Sequence, residues 1–292
     1  MHIFDLHADT PSKLFYERKR FDDPTLHLSA GDLARWESST QVFAFFCRPG
    51  LTDDEAYRDF FAMRSDTLAK ITPYKGKLTP ILSVEDARLL GNSSDRLPCL
   101  AECGVRILTL LWRGETAIGG AYDTDVGLTS FGKHVLSDCF ELGITPDLSH
   151  SSLPAFWEAV EIAEERGHPI LATHSNARAL SSHPRNLYDE QFLAIQGTGG
   201  LVGLCLCPDH LTSGGDATLS DAVRHLEHWL ALGGENAVAL GTDFDGIAKT
   251  PSGLAKNRDL AALAEELFRL GYREETVNAL FYKNAQNFFN KE

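Results

Sequence analysis

Six residues of this chain have the types and placement from which a metal-dependent hydrolytic centre can be built: His7, Asp9, Glu85, His150, His174 and Asp243. His7 and Asp9 stand two apart in the run Met1-His2-Ile3-Phe4-Asp5-Leu6-His7-Ala8-Asp9-Thr10, and positions i and i+2 of an extended strand share a face. Alone, the pair is no more than a polar strand terminus. The other four fall at the ends of separate apolar segments, far apart in sequence. Three neutral imidazoles with two or three carboxylates suit divalent first-row metals, zinc first, with manganese, iron or cobalt accepting the same donors. Two such ions about 3.5–4 Å apart, bridged by a carboxylate, would hold a hydroxide at neutral pH and polarise a carbonyl for attack. That is hydrolytic chemistry.

The elements that must position these residues are short apolar strands alternating with helical periodicity. After the first strand, a polar and partly helical segment runs to Trp36, and strands are then expected at 41–46, 80–85, 105–111, 144–150, 169–174, 200–207 and 238–243. Helical spacing is expected over 53–71, from about Thr129, over 153–166, around Ala222, Val223, Leu226, Trp229 and Leu230, and over 258–270 and 274–290. Eight strands alternating with helices predict an α/β chain folded as a single (β/α)8 TIM barrel, one domain over residues 1–292. In that fold, active sites gather at the C-terminal strand ends. Strands one, three, five, six and eight end near His7 and Asp9, Glu85, His150, His174 and Asp243, so barrel closure would bring all six to one mouth.

Composition narrows the partners. The chain carries 27 Lys and Arg against 41 Asp and Glu, a formal charge of -14, which repels phosphate backbones and anionic lipid. Nucleic acid and membrane partners are therefore not expected. No basic leader with an apolar run opens the sequence and no apolar run reaches about 18 residues, so a cytoplasmic location is expected. The six cysteines, Cys47, Cys99, Cys103, Cys139, Cys205 and Cys207, contain no Cys-x-x-Cys pair and read as small core hydrophobes. No dinucleotide or phosphate-loop motif occurs, and Gly197-Thr198-Gly199-Gly200 precedes a strand and reads as a turn.

Taken together, six pieces resemble the membrane (renal) dipeptidases, peptidase family M19, relatives of the amidohydrolases. They are Asp5-Leu6-His7-Ala8-Asp9-Thr10, Gly127-Leu128-Thr129-Ser130-Phe131-Gly132, Asp147-Leu148-Ser149-His150, Thr173-His174-Ser175-Asn176, Arg185-Asn186-Leu187 and Gly241-Thr242-Asp243-Phe244-Asp245-Gly246, in that order and nearly end to end. The resemblance implies a binuclear zinc dipeptidase that cleaves small dipeptides through a metal-bridging hydroxide. It implies that His7 and Asp9 bind one Zn2+, that His150 and His174 bind the other, and that Glu85 bridges them. Asp243 would be the catalytic proton shuttle and would hold the substrate's amino group, while Arg185 would grip the terminal carboxylate through a bidentate fork. Asp245 is expected to be structural. The resemblance is compatible with a homodimer, for which no sequence patch argues.

Two departures bear on substrate. Asp86-Ala87 follows Glu85 where the family usually has a glycine pair, placing an extra carboxylate near the metals. Trp112 stands where renal members carry a histidine that helps bind the reacting carbonyl; its indole could donate one hydrogen bond or line the pocket. Arg113 could supply the lost charge, although an extended segment alternates its sides. These departures keep open another amide, a lactam or a lactone as substrate, with a non-catalytic binding barrel as a third reading. His225 and His228 read as surface or boundary residues, and His2, His27, His134, His168, His183 and His210 as residues without an evident partner.

Overall fold

The computed structural model describes residues 1–290. Its strands are β1 (Ile3–Ala8), β2 (Ser39–Phe46), β3 (Leu78–Glu85), β4 (Val105–Thr109), β5 (Thr145–Asp147), β6 (Leu171–Ser175), β7 (Leu201–Leu204) and β8 (Val238–Leu240). They close into a barrel in chain order, every neighbour parallel, with Asp5 opposite Leu240 completing the ring. The helices are α1 (Thr10–Tyr16), α2 (Asp53–Ile71), α3 (Arg96–Glu102), α4 (Ser130–Glu141), α5 (Leu153–Arg166), α6 (Asp189–Gly197), α7 (Pro208–Leu211), α8 (Leu219–Ala231), α9 (Leu260–Arg269), α10 (Glu274–Asn278) and α11 (Asn284–Phe289). This is the (β/α)8 barrel that the strand–helix alternation predicts.

Local chemistry sets several boundaries. The Thr52 hydroxyl accepts the Glu55 N–H while the Glu55 carboxylate accepts the Thr52 N–H, and this reciprocal cap starts α2. In α5 the Ser152 hydroxyl accepts the Ala155 N–H at 3.1 Å, and Gly167 ends the helix with φ 67°, a left-handed geometry that glycine adopts without strain. Several strands are shorter than expected; β4 ends at Thr109 and β7 spans Leu201–Leu204 alone. β5 stops at Asp147 and β8 at Leu240, so His150 and Asp243 lie three residues beyond their strands instead of at the last position. Pro146 has no N–H to extend the β5 ladder. Three helices fall where no periodic stripe was evident: α3, the short α7, and α6, which buries just Gln191, Phe192 and Ile195.

The core has two parts. Helix inner faces pack against the outside of the strands, burying Phe60, Leu136, Phe156, Phe192 and Trp229 among others. Inside the barrel, Phe4, Leu6, Val42, Ile107, Leu171, Leu201 and Ala239 meet Ala285 and Phe288 of α11, with Phe4 stacked on Phe289 at 5.4 Å. The opposite end is therefore the one left for chemistry. Gly203 and Gly241 let neighbouring strands close around β6, because a Cβ at either position would lie within 2 Å of the Thr173 carbonyl oxygen. All six cysteines are free; Cys47, Cys139 and Cys205 are buried, but Cys99, Cys103 and Cys207 are only half-buried, not core residues. Among the described residues no helix is long and apolar enough to cross a membrane.

Candidate active site

Barrel closure brings the distant ligand candidates within hydrogen-bonding range of one another. Glu85, the last residue of β3, sits centrally: its Oε2 is 3.4 Å from His7 Nε2, and its Oε1 is 3.0 Å from His150 Nε2 and 3.7 Å from His174 Nε2. Asp9 Oδ2 is 3.4 Å from His7 Nε2. The donor atoms fall into three overlapping sets, His7 with Asp9 and Glu85, Glu85 with His150 and His174, and His7 with Asp147 and His174. Glu85 belongs to the first two.

Hydrogen bonds on the far side of each ring settle the tautomers. The Thr173 hydroxyl has one proton, which Asp147 Oδ2 accepts at 2.7 Å. Thr173 Oγ1 must then accept from the Nδ1–H groups of His174 at 2.9 Å and His7 at 3.2 Å. His150 Nδ1 donates to the Trp112 carbonyl at 3.0 Å. In the neutral rings all three Nε2 atoms are therefore lone pairs directed at a carboxylate. Those of His150 and His174 lie 2.9 Å apart, and the buried Nε2 of His7 has no hydrogen-bond partner among the described residues. Lone pairs converging on an anion repel unless a cation lies among them, so the donor set fits divalent metal.

Electrostatics divide the three rings. Burial and the Arg185 charge hold His150 down to about 4, and burial with the neighbouring His7 keeps His174 well below the usual imidazole value. Burial pushes Asp9 up to about 6 with the Glu85 charge adding to it, and burial with Asp9 alongside raises Asp243 well above the carboxylate range. Burial opposes charge on His7 too, but Glu85 and Asp9 outweigh it and raise its affinity for a proton, the competitor of a metal at that nitrogen. His150 and Asp243 have left-handed backbones, φ 71° and 61°, a strained state for non-glycine residues that recurs at functional positions. Beside them Gly246 leaves room that a side chain would take, since a Cβ there would meet Asp9 Oδ2 at 2.2 Å and Asp243 Oδ1 at 2.5 Å.

Arg185 lies at the same mouth. Its guanidinium is buried, Nη2 donates to the His174 carbonyl at 3.4 Å, Nε lacks a partner, and no carboxylate pairs with it among the described residues. A cavity of about 270 Å³, lined by Tyr16, Phe46, Trp112, Asp9, Glu85 and Asp243, opens on one side of His150, and one of about 220 Å³ containing Arg185 opens on the other. Trp112 lies tilted against Phe46, ring centroids 4.8 Å apart, and both rings line the first cavity. Arg113 does not replace the missing charge, because its exposed side chain turns to Asp123 at 3.4 Å. Asp86 likewise faces away from the ligands: its carboxylate accepts the Arg88 N–H and pairs with the Arg88 guanidinium, while burial raises it to about 7. Asp245 accepts from Thr10 Oγ1 and the His27 N–H, a bracing arrangement that leaves Asp243 facing Asp9.

Several contributors were not evident in the sequence. Asp147 orders the site by accepting from Thr109, Thr173 and the Ser149 N–H, and Asp5 does the same for Thr242 and the His7 N–H. Their common signal is an Asp inside an apolar strand facing a Thr that precedes a site residue, Thr173-His174 or Thr242-Asp243. His225 is buried, not a surface residue; its Nδ1 accepts the Ala177 N–H and its Nε2 donates to the Leu211 carbonyl, tying α8 to the loops beside Arg185. His27 and His183 also have partners, the N–H groups of Asp245 and Arg185.

Comparison with known proteins adds independent weight. A family model described as membrane dipeptidase (peptidase family M19) matches residues 1–292. An uncharacterised protein in the pqqA 5′ region of Klebsiella pneumoniae is 33% identical over 219 residues, covering 71% of this chain and 79% of that one. Among solved structures, dipeptidase AC, a metallo peptidase of family M19, is 26% identical with a TM-score of 0.90, covering 99% of this chain and 98% of that chain. A metallo peptidase from Rhodobacter sphaeroides, liganded with a phosphinate mimic of the dipeptide L-Ala-D-Ala, has the same fold, with 24% identity, a TM-score of 0.90 and coverage of 99% of both chains.

Proposed function

The chain belongs to the membrane dipeptidase family, peptidase family M19, and from that premise we propose that it is a binuclear zinc dipeptidase cleaving the peptide bond of small dipeptides. The observation that carries this reading is the convergence of three imidazole Nε2 atoms on Glu85, with Asp9 and Asp243 beside them and an unpaired buried Arg185 next to His174. His7 and Asp9 would hold one ion, His150 and His174 the other, and Glu85 both. Zinc bound there supplies Lewis-acid polarisation of the peptide carbonyl and lowers the pKa of water. The phosphinate dipeptide mimic in the Rhodobacter sphaeroides relative supports the same substrate class here.

The chain's own residues divide the remaining work. Arg185 binds the terminal carboxylate with a planar two-pronged donor set whose desolvation is already complete. That fixes the dipeptide across His150, its scissile bond over the ligand cluster and its amino end toward Asp9 and Asp243. Asp243 takes a proton from the attacking water and returns it to the leaving amine, a task helped by burial that raises its proton affinity. Phe46 and Trp112 wall the cavity and limit water around the reacting bond. Trp112, standing where renal relatives carry a histidine, is the observation that favours the second reading, a lactam, lactone or other amide substrate.

Arg185 separates the two readings. In the Arg185→Ala variant, kcat/KM for free dipeptides is expected to fall about 10- to 100-fold, the worth of a charge-assisted pair. Dipeptide amides, which lack the carboxylate, should be poor substrates of the parent and lose little more in the variant. Equal losses on acid and amide, or rapid turnover of a lactone that is indifferent to Arg185, would favour the second reading.

A further inference from the structure

The cavity beyond His150 holds more cationic chemistry than capture of one carboxylate requires. Arg178 lines it together with Arg185, and Tyr122, Thr124 and Tyr188 complete the wall. The Arg178 guanidinium lies over the Tyr188 ring, 4.6 Å from its centroid, and its backbone N–H donates to the Leu187 carbonyl at 2.8 Å, which anchors it beside the Arg185 segment. Arg185 sits correspondingly over Tyr122, with its carbon centre 5.7 Å from that ring.

Neither guanidinium forms an ion pair among the described residues. The acidic residue in the lining, Asp125, is exposed to solvent. Two unpaired arginines around one cavity of about 220 Å³, one of them buried with a partnerless Nε, describe a receptor for two anionic groups close together. In the pose proposed above, a dipeptide whose terminal carboxylate rests on Arg185 would have its second side chain beside the cavity that Arg178 also lines.

We infer that the protein selects dipeptides whose second residue is acidic, aspartate or glutamate, and that Arg178 is the residue that reads the side-chain carboxylate. This rests on the dipeptidase reading and narrows it. A surface Arg stacked on Tyr could serve packing alone, but packing would not distinguish an acid from its amide.

The test compares isosteric second residues. With zinc supplied, kcat/KM is measured for Ala-Asp, Ala-Asn, Ala-Glu, Ala-Gln, Ala-Lys and Ala-Ala, each with the second residue in both L and D forms. The acids should exceed their amides by about 10- to 100-fold, the range of one charge-assisted hydrogen-bonded pair. In Arg178→Gln that ratio should collapse toward one, and in Arg178→Glu the order should invert toward Ala-Lys, with melting temperatures near the parent's confirming the fold. Acid and amide cleaved equally by the parent, or a preference that survives Arg178→Gln, would overturn the inference and leave the dipeptidase reading standing. Failure to cleave any dipeptide while the metals are bound would overturn both.

Discussion

Replacing Asp243 with Asn is expected to lower kcat by about 10²- to 10⁴-fold, the usual contribution of a positioned acid–base group, and to raise KM for dipeptides because the same carboxylate faces the substrate's amino end, while metal content changes little. The substitution keeps the shape of the side chain and its left-handed backbone, since Asn tolerates φ near the 61° seen here. It removes the ability to accept and return a proton. Steady-state kinetics with elemental analysis of the same preparation check this. A variant that loses metal as well as activity would place Asp243 among the ligands, and one that keeps full kcat would remove it from the reaction. Asp245→Asn is the useful contrast: its carboxylate is committed to Thr10, His27 and Leu28, so its loss should appear in stability before kcat.

Glu85→Gln should have the larger effect. Glu85 is the one candidate ligand within reach of His7 on one side and His150 and His174 on the other, so a neutral amide there weakens both halves of the centre together. Metal content is expected to fall for both ions, with kcat/KM at least about 10³-fold below the parent, because both carbonyl polarisation and water activation depend on bound metal. Asp9→Asn touches the His7 half alone and should spare more of the second ion. Retention of two ions and ordinary turnover by Glu85→Gln would refute the shared-ligand arrangement.

How far the sequence foretold this molecule depends on the element. β2, β3 and β4 each carry a cluster of apolar residues that marks them, Val42 to Phe46 in β2, Ile81, Leu82 and Val84 in β3, and Val105, Ile107 and Leu108 in β4. β5 and β8 have three residues each, because Pro146 cannot extend a ladder and the chain turns left-handed at His150 and Asp243 to aim those side chains inward. A sequence pattern marks the apolar part of a strand, not the turn that follows it. α3 carries Pro98 and Cys99 near its start, and α6 has too few buried positions to print a helical stripe. At the site, the types of the candidate ligands were legible one by one, yet their partners were not. Thr173, Asp147 and the Trp112 carbonyl, which fix the ring tautomers, act through single hydrogen bonds across the barrel that no local spacing records. His225 misleads for a related reason: a histidine on an amphipathic helix resembles a boundary residue until the Ala177 N–H and the Leu211 carbonyl at the end of α7 are seen to engage both its ring nitrogens.

The central claim is that the two donor sets sharing Glu85 hold metal for dipeptide cleavage. It is tested most directly by titrating metal-free protein with zinc while following metal bound per chain and dipeptide hydrolysis in the same samples. The expected result is saturation near two ions per chain, with turnover rising as the second ion binds. Two bound ions without hydrolysis of any dipeptide, or hydrolysis at full rate in metal-free protein, would contradict it.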